Sequence, residues 1–363
     1  MDDLLLRDYD PISQLVVAGH RVERPRFPVV DMHNHTQWAS DEWQVRDVGA
    51  LVAEMDKAGV AAYVDLDGGV GERVRRHMER LRGPYPDRFA VFAQFDWPRC
   101  LERPGFGERM ARDLRDAAAA GAEGLKVWKD LGLRLRDPEG RRLATSDPRL
   151  APIWHTAAEL GLPVLIHTAD PVAFFTPLDR HNERYEELSA HPDWHFYGPG
   201  MPSFEQLQEE FETLLEANPA TTFIGAHVAS HSEDLARVAA RLDRHPNLHV
   251  DIAARHAELG RQPRTARRFL TRYAGRAVFG LDVFPATAED YRVVYRTLES
   301  EDEHFPYRPE DAEPSPGAQG RWRVYGLGLG GRALRMLYSG TALRILPRLR
   351  AAVRAMATAE AAP

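Results

Sequence analysis

Residues 29–35 read Val-Val-Asp-Met-His-Asn-His, and the reading of the whole chain turns on them. Two β-branched residues lead into Asp31, and His33 and His35 follow two positions apart. In a β-strand, side chains two apart share a face, so both imidazoles and Asp31 project the same way, with about 7 Å between the histidines. That spacing lets both rings reach one metal ion. A polar strand end at the surface gives the same pattern, so the motif needs partners elsewhere in the chain.

Working outward, apolar runs of strand length recur at 28–35, 60–67, 89–97, 124–128, 163–168, 222–228, 248–253 and 277–283. Amphipathic stretches separate them. In 232–244, Leu235, Val238, Ala239 and Leu242 form a helical stripe at i, i+3, i+4 and i+7. Ser203 with Gln206, and Thr287 with Asp290, read as capping boxes that open helices. Asn218-Pro219, His245-Pro246 and Gly161-Leu162-Pro163 read as helix stops. Eight strands alternating with helices predict an α/β fold of the (β/α)8 TIM-barrel type, as a single domain over 1–363. A doubly wound sheet is the alternative, but it calls for a glycine-rich phosphate turn after the first strand. No G-x-G-x-x-G occurs there, and GLGLGG at 326–331 comes late and precedes a final helix, so it reads as a turn. Residues 1–27 form a lead-in. The connection 169–220 is long enough to be a lid inserted after strand five, 301–320 is an exposed loop, and extra helices follow at the C-terminus.

Composition narrows the function. The 363 residues carry a formal charge of −7 and no basic tail, which argues against nucleic acid as a partner. No apolar run reaches membrane-spanning length and the first residues are acidic, so a cytoplasmic protein is expected. Cys100 is the single cysteine, so a metal site must draw on histidine and carboxylate.

Those residue types fall at strand ends. His33 and His35 end strand one, Lys126 lies in strand four, His167 ends strand five, His227 ends strand six and Asp282 ends strand eight. In a barrel, all strand C-terminal ends open onto one face, where such enzymes carry out their chemistry. Buried imidazoles and carboxylates are costly unless paired or coordinated, so their recurrence at this position predicts a metal site. The other histidines, among them His77, His231 and His245, are expected at the surface, with His181 and His195 on the lid.

This constellation resembles the amidohydrolase superfamily, specifically the amidohydrolase-related group that includes aminocarboxymuconate-semialdehyde-type decarboxylases. The resemblance runs from about 25 to 346 and includes the closing YGLGLGG and LYSGTALRIL segments, although Thr341 stands where the family commonly has Asn. It implies a distorted barrel holding one or two divalent ions, usually Zn2+, with Mn2+ as another candidate. His33, His35, His167 and Asp282 would then be ligands. His227 would bind a second ion or act as acid/base partner, and Asp31 would brace a histidine from behind. Lys126 would be a carbamylated bridge between two ions, or else a lysine bonded to a substrate carboxylate or a neighbouring Asp. The first expectation is hydrolysis of an amide, lactam, lactone or ester of a small molecule, with Asp282 and His227 catalytic. The alternative is non-oxidative decarboxylation of an aromatic or unsaturated acid. That reaction calls for Arg184 or Arg255 to hold the acid, unless these pair with Glu183 and Asp251 instead. Phe174 and Trp128 would line the substrate pocket, or Phe174 and the other lid aromatics simply pack the lid onto the rim. A homodimer is expected from the same resemblance. A non-catalytic scaffold would have lost the ligand set, which is intact.

Overall fold

Alternation along each apolar run sorts its side chains into two layers, and that sorting closes the barrel. The computed structural model describes residues 4–5, 9, 11–37, 47–309 and 319–360. Eight strands pair in parallel in chain order: β1 Val29–Asn34, β2 Val60–Asp65, β3 Phe89–Gln94, β4 Gly124–Val127, β5 Val164–Ile166, β6 Phe223–Gly225, β7 Leu248–Asp251 and β8 Ala277–Val278. The ring is drawn together between its ends. Met32 N donates to Phe279 O at 2.9 Å, and Asp282 N donates to His33 O at 2.8 Å.

Phe89, Val91, Val164, Ile166, Leu248 and Val250 belong to the outer core shared with the helices. Their neighbours Ala90, Phe92, Leu165, Ile224 and Val278 form a separate inner cluster, which Ala342, Leu346, Leu349 and Ala352 continue. Each large apolar side chain buried in this way contributes roughly 1.5–3 kcal/mol. The C-terminal helices thus seal one end. Arg348 identifies it as the N-terminal end of the strands, because its guanidinium reaches Pro86 O and the Glu123 carboxylate just ahead of β3 and β4. The opposite end is left for chemistry.

All eight predicted strands are present, and most stop short at their C-terminal ends. The run 222–228 leaves the sheet after Gly225 and the run 277–283 after Val278. In the first of these the cause is backbone conformation. His227, Val228, Ala229 and Ser230 have φ between 53° and 59°, and Asp282 has φ 56°. Left-handed backbone costs an ordinary residue roughly 1–2 kcal/mol. Burial of Val228 and Ala229 in the outer core and a bond from Ala169 N to Ser230 Oγ (3.1 Å) hold this turn in place.

Other expectations need correction. In the 169–220 connection, Phe204–Ala217 is the crossover helix of the barrel, since it buries Phe211, Leu214 and Leu215 in the outer core. The excursion is therefore 169–203, with a short helix at Tyr185–Ala190. The Thr287–Asp290 capping box forms in full. Ser203 accepts from Gln206 N, but the Gln206 side chain turns to Glu210 instead of back to the cap. His77, His231 and His245 are buried, not at the surface. His77 bonds Asp65 at 2.7 Å and His245 bonds Glu212 at 2.6 Å, as burial of a polar ring requires. Of the 301–320 loop, residues 310–318 lie outside the described residues. Its flanks pair as a short antiparallel ladder, β9 Phe305–Pro306 with β10 Arg323–Val324. Residues 1–3, 6–8 and 10 of the lead-in also lie outside, and 11–21 are exposed. Among the described residues no helix is long and apolar enough to cross a membrane.

Candidate metal centre and active-site cleft

The β1 motif does not keep strict alternation. The pairing of β1 with β2 shifts register between Asp31 and Asn34, which releases Asp31 from the histidines. The Asp31 carboxylate accepts from His33 N, Leu281 N, Asn34 Nδ2 and the Tyr291 hydroxyl, so it has no lone pair to spare for a metal. It braces the motif from behind. Burial pushes its pKa up to about 6.

Asp282 is the point of convergence. Its Oδ1 lies 3.7 Å from His33 Nε2 and 3.3 Å from His35 Nε2, and its Oδ2 lies 3.5 Å from His227 Nε2. The other nitrogen of each ring is held. His33 Nδ1 bonds Asp251 at 2.9 Å, His35 Nδ1 bonds Asp67 at 2.8 Å, and His227 Nδ1 bonds Ala253 O at 2.8 Å. Outer acceptors of this kind fix the tautomer that directs a lone pair from Nε2. Gly280 makes the approach possible, because a Cβ there would sit 2.7 Å from His33 Cβ. Three such imidazoles around one carboxylate form a nitrogen–oxygen donor set suited to a divalent ion of the Zn2+ or Mn2+ kind.

His167 is turned differently. Its ring lies edge-on to His227, 4.4 Å between centroids, while its Nε2 faces Ala169 O at 3.2 Å and Asp170 at 3.3 Å. Lys129 holds Asp170 in turn, at 2.5 Å. Lys126 is fully buried, with Nζ 2.9 Å from His33 Nε2.

Electrostatics follow from burial. Burial holds His33 and His227 well below the usual histidine range, so both are neutral and able to donate a lone pair. Burial would raise Asp282, but the imidazoles around it outweigh that and keep its carboxyl well below the ordinary value. Burial likewise opposes the charge on His35, yet Asp67 and Asp282 together raise its pKa to about 10. Burial lowers Lys126 to about 8. An incoming cation must displace the His35 proton and is repelled by the Lys126 ammonium. Both protons are lost as pH rises, so divalent-metal affinity should climb between pH 7 and 9, by up to about tenfold per unit for each proton released. Competition titration with a chromophoric chelator measures this, and Lys126→Met should flatten the slope.

A cleft of about 260 Å³ opens beside this set, lined by His33, Lys126, His167, His227 and Asp282 and walled by Trp128, Phe174 and Trp194. Trp128 stacks on His35 at 5.1 Å. Phe174 also belongs to the apolar cluster of the 169–203 excursion with Phe175 and Phe196, so it packs that excursion and faces the cleft at once. Arg184 is buried and committed to Glu187 (2.8 Å) and Glu258, not to Glu183, which pairs with Arg261. Both pairs use its Nη atoms, and Arg184 also lines the cleft. Arg255 is buried at the cleft, with Nη1 on Ala254 O at 2.7 Å. Asp251 serves His33, and among the described residues no carboxylate lies within ion-pair distance of Arg255.

Sequence reasoning passed over Asp67 and Asp170, and took Asp251 only as a partner for Arg255. Asp67 and Asp251 were within reach of the same strand-end argument, because each closes an apolar run, VDLD in 64–67 and LHVD in 248–251.

A family model for amidohydrolases matches residues 30–348. No curated protein matches the sequence. Among solved structures, 2,6-dihydroxybenzoate decarboxylase from Rhizobium aligns at TM-score 0.54 and 15% identity, covering 88% of this chain and 99% of that one. Dihydroxybenzoic acid decarboxylase from Polaromonas, with bound manganese and 2-nitroresorcinol, aligns at 0.55 and 13%, covering 88% and 97%. The 4-oxalomesaconate hydratase from Rhodopseudomonas palustris aligns at 0.50 and 15%, covering 92% and 99%. At such identities the likeness speaks for the fold, whereas the family match spans most of the chain. By that match, on an eight-stranded barrel with histidines and an aspartate gathered at its open end, the chain belongs to the amidohydrolase superfamily, in its amidohydrolase-related branch.

Proposed function

We propose that the protein is a metal-dependent, non-oxidative decarboxylase of an aromatic or unsaturated carboxylic acid. Arg255 carries this reading. A buried guanidinium with no carboxylate within ion-pair distance among the described residues, set in the wall of the cleft, suits an anionic group from the ligand, and a substrate carboxylate matches its fork. The decarboxylases among the fold relatives support the same reaction. A divalent ion held by His33, His35 and Asp282, with His167 and His227 beside it, would supply Lewis-acid chemistry at a substrate oxygen.

The chain's own groups do the rest. Arg255 binds the acid, and Trp128, Phe174 and Trp194 offer flat apolar walls that exclude water from the ring or double bond. The reaction replaces a carboxylate on carbon with a proton and releases carbon dioxide. Asp282, a carboxylate at rest, is the group placed to take up that proton in passing to the substrate carbon. Its side chain is 22% exposed, whereas those of His33, His35 and His227 are nearly closed off at 1–3%. His227 Nε2 faces the other oxygen of Asp282 at 3.5 Å.

Hydrolysis stands second, carried by Lys126. A buried amine with its pKa near 8 is partly neutral and therefore open to carbamylation. The test is a panel of aromatic and unsaturated acids, lactones and amides, assayed with Zn2+- and Mn2+-loaded protein. Carbon dioxide release from an acid is expected, with Arg255→Ala raising KM at least tenfold. Turnover of a lactone or amide without carbon dioxide release would overturn the proposal in favour of hydrolysis.

A further inference from the structure

His167 differs from the other imidazoles of the site in the nitrogen it keeps free. Its backbone N donates to Val127 O at 3.0 Å, which holds the end of β5 against β4. The ring then lies with Nε2 facing two acceptors, Ala169 O at 3.2 Å and Asp170 Oδ1 at 3.3 Å. A nitrogen that faces only acceptors must carry the proton of a neutral imidazole, so the lone pair is left on Nδ1. His33, His35 and His227 are set the other way, with Nδ1 bonded and Nε2 turned to Asp282.

Asp170 does not hold this place alone. Its Oδ2 accepts from Lys129 Nζ at 2.5 Å, and the ammonium also lies over the Phe196 ring, 5.5 Å from its centroid. A buried carboxylate is costly without a cation, and Lys129 supplies one. Burial would raise the Asp170 carboxyl, but Lys129 and His167 outweigh that and keep it well below its ordinary value. Both residues line the cleft, and the reaction proposed above uses neither. We propose that Asp170, anchored by Lys129, is a positioning residue that fixes His167 in its Nε2–H form and leaves Nδ1 as the nitrogen it offers to the cation of the site. The last clause rests on the metal reading; the fixed tautomer does not.

The anchor makes a specific pattern of variants. In Asp170→Asn, Lys129 can only donate, so it claims the amide oxygen and turns the NH2 toward His167 Nε2. That nitrogen must then accept, at the expense of the bond to Ala169 O, and the proton moves to Nδ1. In Lys129→Met/Asp170→Asn the claim is gone, the amide oxygen can turn back to Nε2, and the original tautomer returns.

Proton–nitrogen NMR of histidine-labelled, chelator-treated protein reads the tautomer, with the His167 signal assigned by its absence from His167→Gln. Isothermal titration with Zn2+ and with Mn2+ reads the affinity, and circular dichroism checks that each variant is folded. The expected wild type is Nε2–H. Asp170→Asn should become Nδ1–H and bind metal 10–100-fold more weakly, the range for loss of an outer partner. The double variant should regain Nε2–H and most of the lost affinity, which a merely structural role for either residue would not produce. Asp170→Asn that stays Nε2–H overturns the proposal, as does a double variant that keeps the tautomer of the single one. A flipped tautomer with unchanged metal affinity upholds the positioning role and removes His167 from the cation, which is the separate failure of the metal reading.

Discussion

Asp282→Asn should remove turnover, lowering kcat/KM by 10³-fold or more, about 4 kcal/mol of transition-state stabilisation, while leaving a folded barrel. The expectation rests on what an amide keeps and loses. It keeps the volume, and Asn tolerates the left-handed backbone that Asp282 adopts at φ 56° better than other replacements. The backbone bond from residue 282 N to His33 O is also untouched, so the seam between β8 and β1 survives. What goes is the negative charge that three Nε2 atoms face at 3.3–3.7 Å, and with it the carboxylate placed to relay a proton to the substrate. Metal content should fall too, because the amide is a poor ligand in place of a carboxylate. Steady-state kinetics, elemental analysis and circular dichroism on the same preparation separate these effects. Near-normal turnover with metal bound would remove Asp282 from the centre of the site. Asp282→Ala should lose activity equally but also stability, since alanine gains nothing from the left-handed conformation.

The parts of this site visible in the sequence are those whose residue type contradicts its surroundings. His167 and His227 stand at the ends of VLI and FIG, where an apolar run predicts another buried hydrocarbon, and a polar ring there demands a partner. Strand placement was equally legible, because β-branched runs of four to eight residues between helical stripes admit few other arrangements. Two kinds of information were not. Pairing across long separations leaves no local trace: Arg184 is committed to Glu258, 74 residues away, whereas the neighbouring Glu183 pairs with Arg261. Backbone conformation set by tertiary context leaves none either. His-Val-Ala-Ser contains no glycine, asparagine or proline to announce four left-handed residues, so 222–228 read as continuous strand. The register shift after Asp31 belongs to the same class. Strict alternation groups Asp31 with His33 and His35, and only the packing of Tyr291 and Leu281 against its carboxylate draws it away.

Asp251 is where such an unannounced contact should have its largest effect. Its Oδ2 accepts from His33 Nδ1 at 2.9 Å, and its Oδ1 accepts from His227 N at 2.8 Å and Ala253 N at 3.0 Å, all fully buried. One carboxylate thus sets the tautomer of a β1 histidine and anchors the start of the left-handed turn that aims His227. Asp251→Asn and Asp251→Ala should divide these roles. In Asp251→Asn, the amide oxygen can still accept from the two backbone N–H groups, which directs its NH2 at His33 Nδ1. That nitrogen must then become an acceptor, so the proton moves to His33 Nε2 and the lone pair aimed at Asp282 is lost. Divalent-metal affinity should drop 10–100-fold, the range found when an outer-shell partner is removed, with little change in melting temperature. In Asp251→Ala, two buried N–H groups are stranded at about 1–3 kcal/mol each, and the turn at His227 loosens. The expected result is a melting temperature lower by several degrees together with the same loss of metal. Isothermal titration and differential scanning calorimetry on both variants decide the matter. If Asp251→Asn binds metal as tightly as the wild type, the orientation of His33 is fixed by its packing against Gly280 and Lys126 rather than by this hydrogen bond.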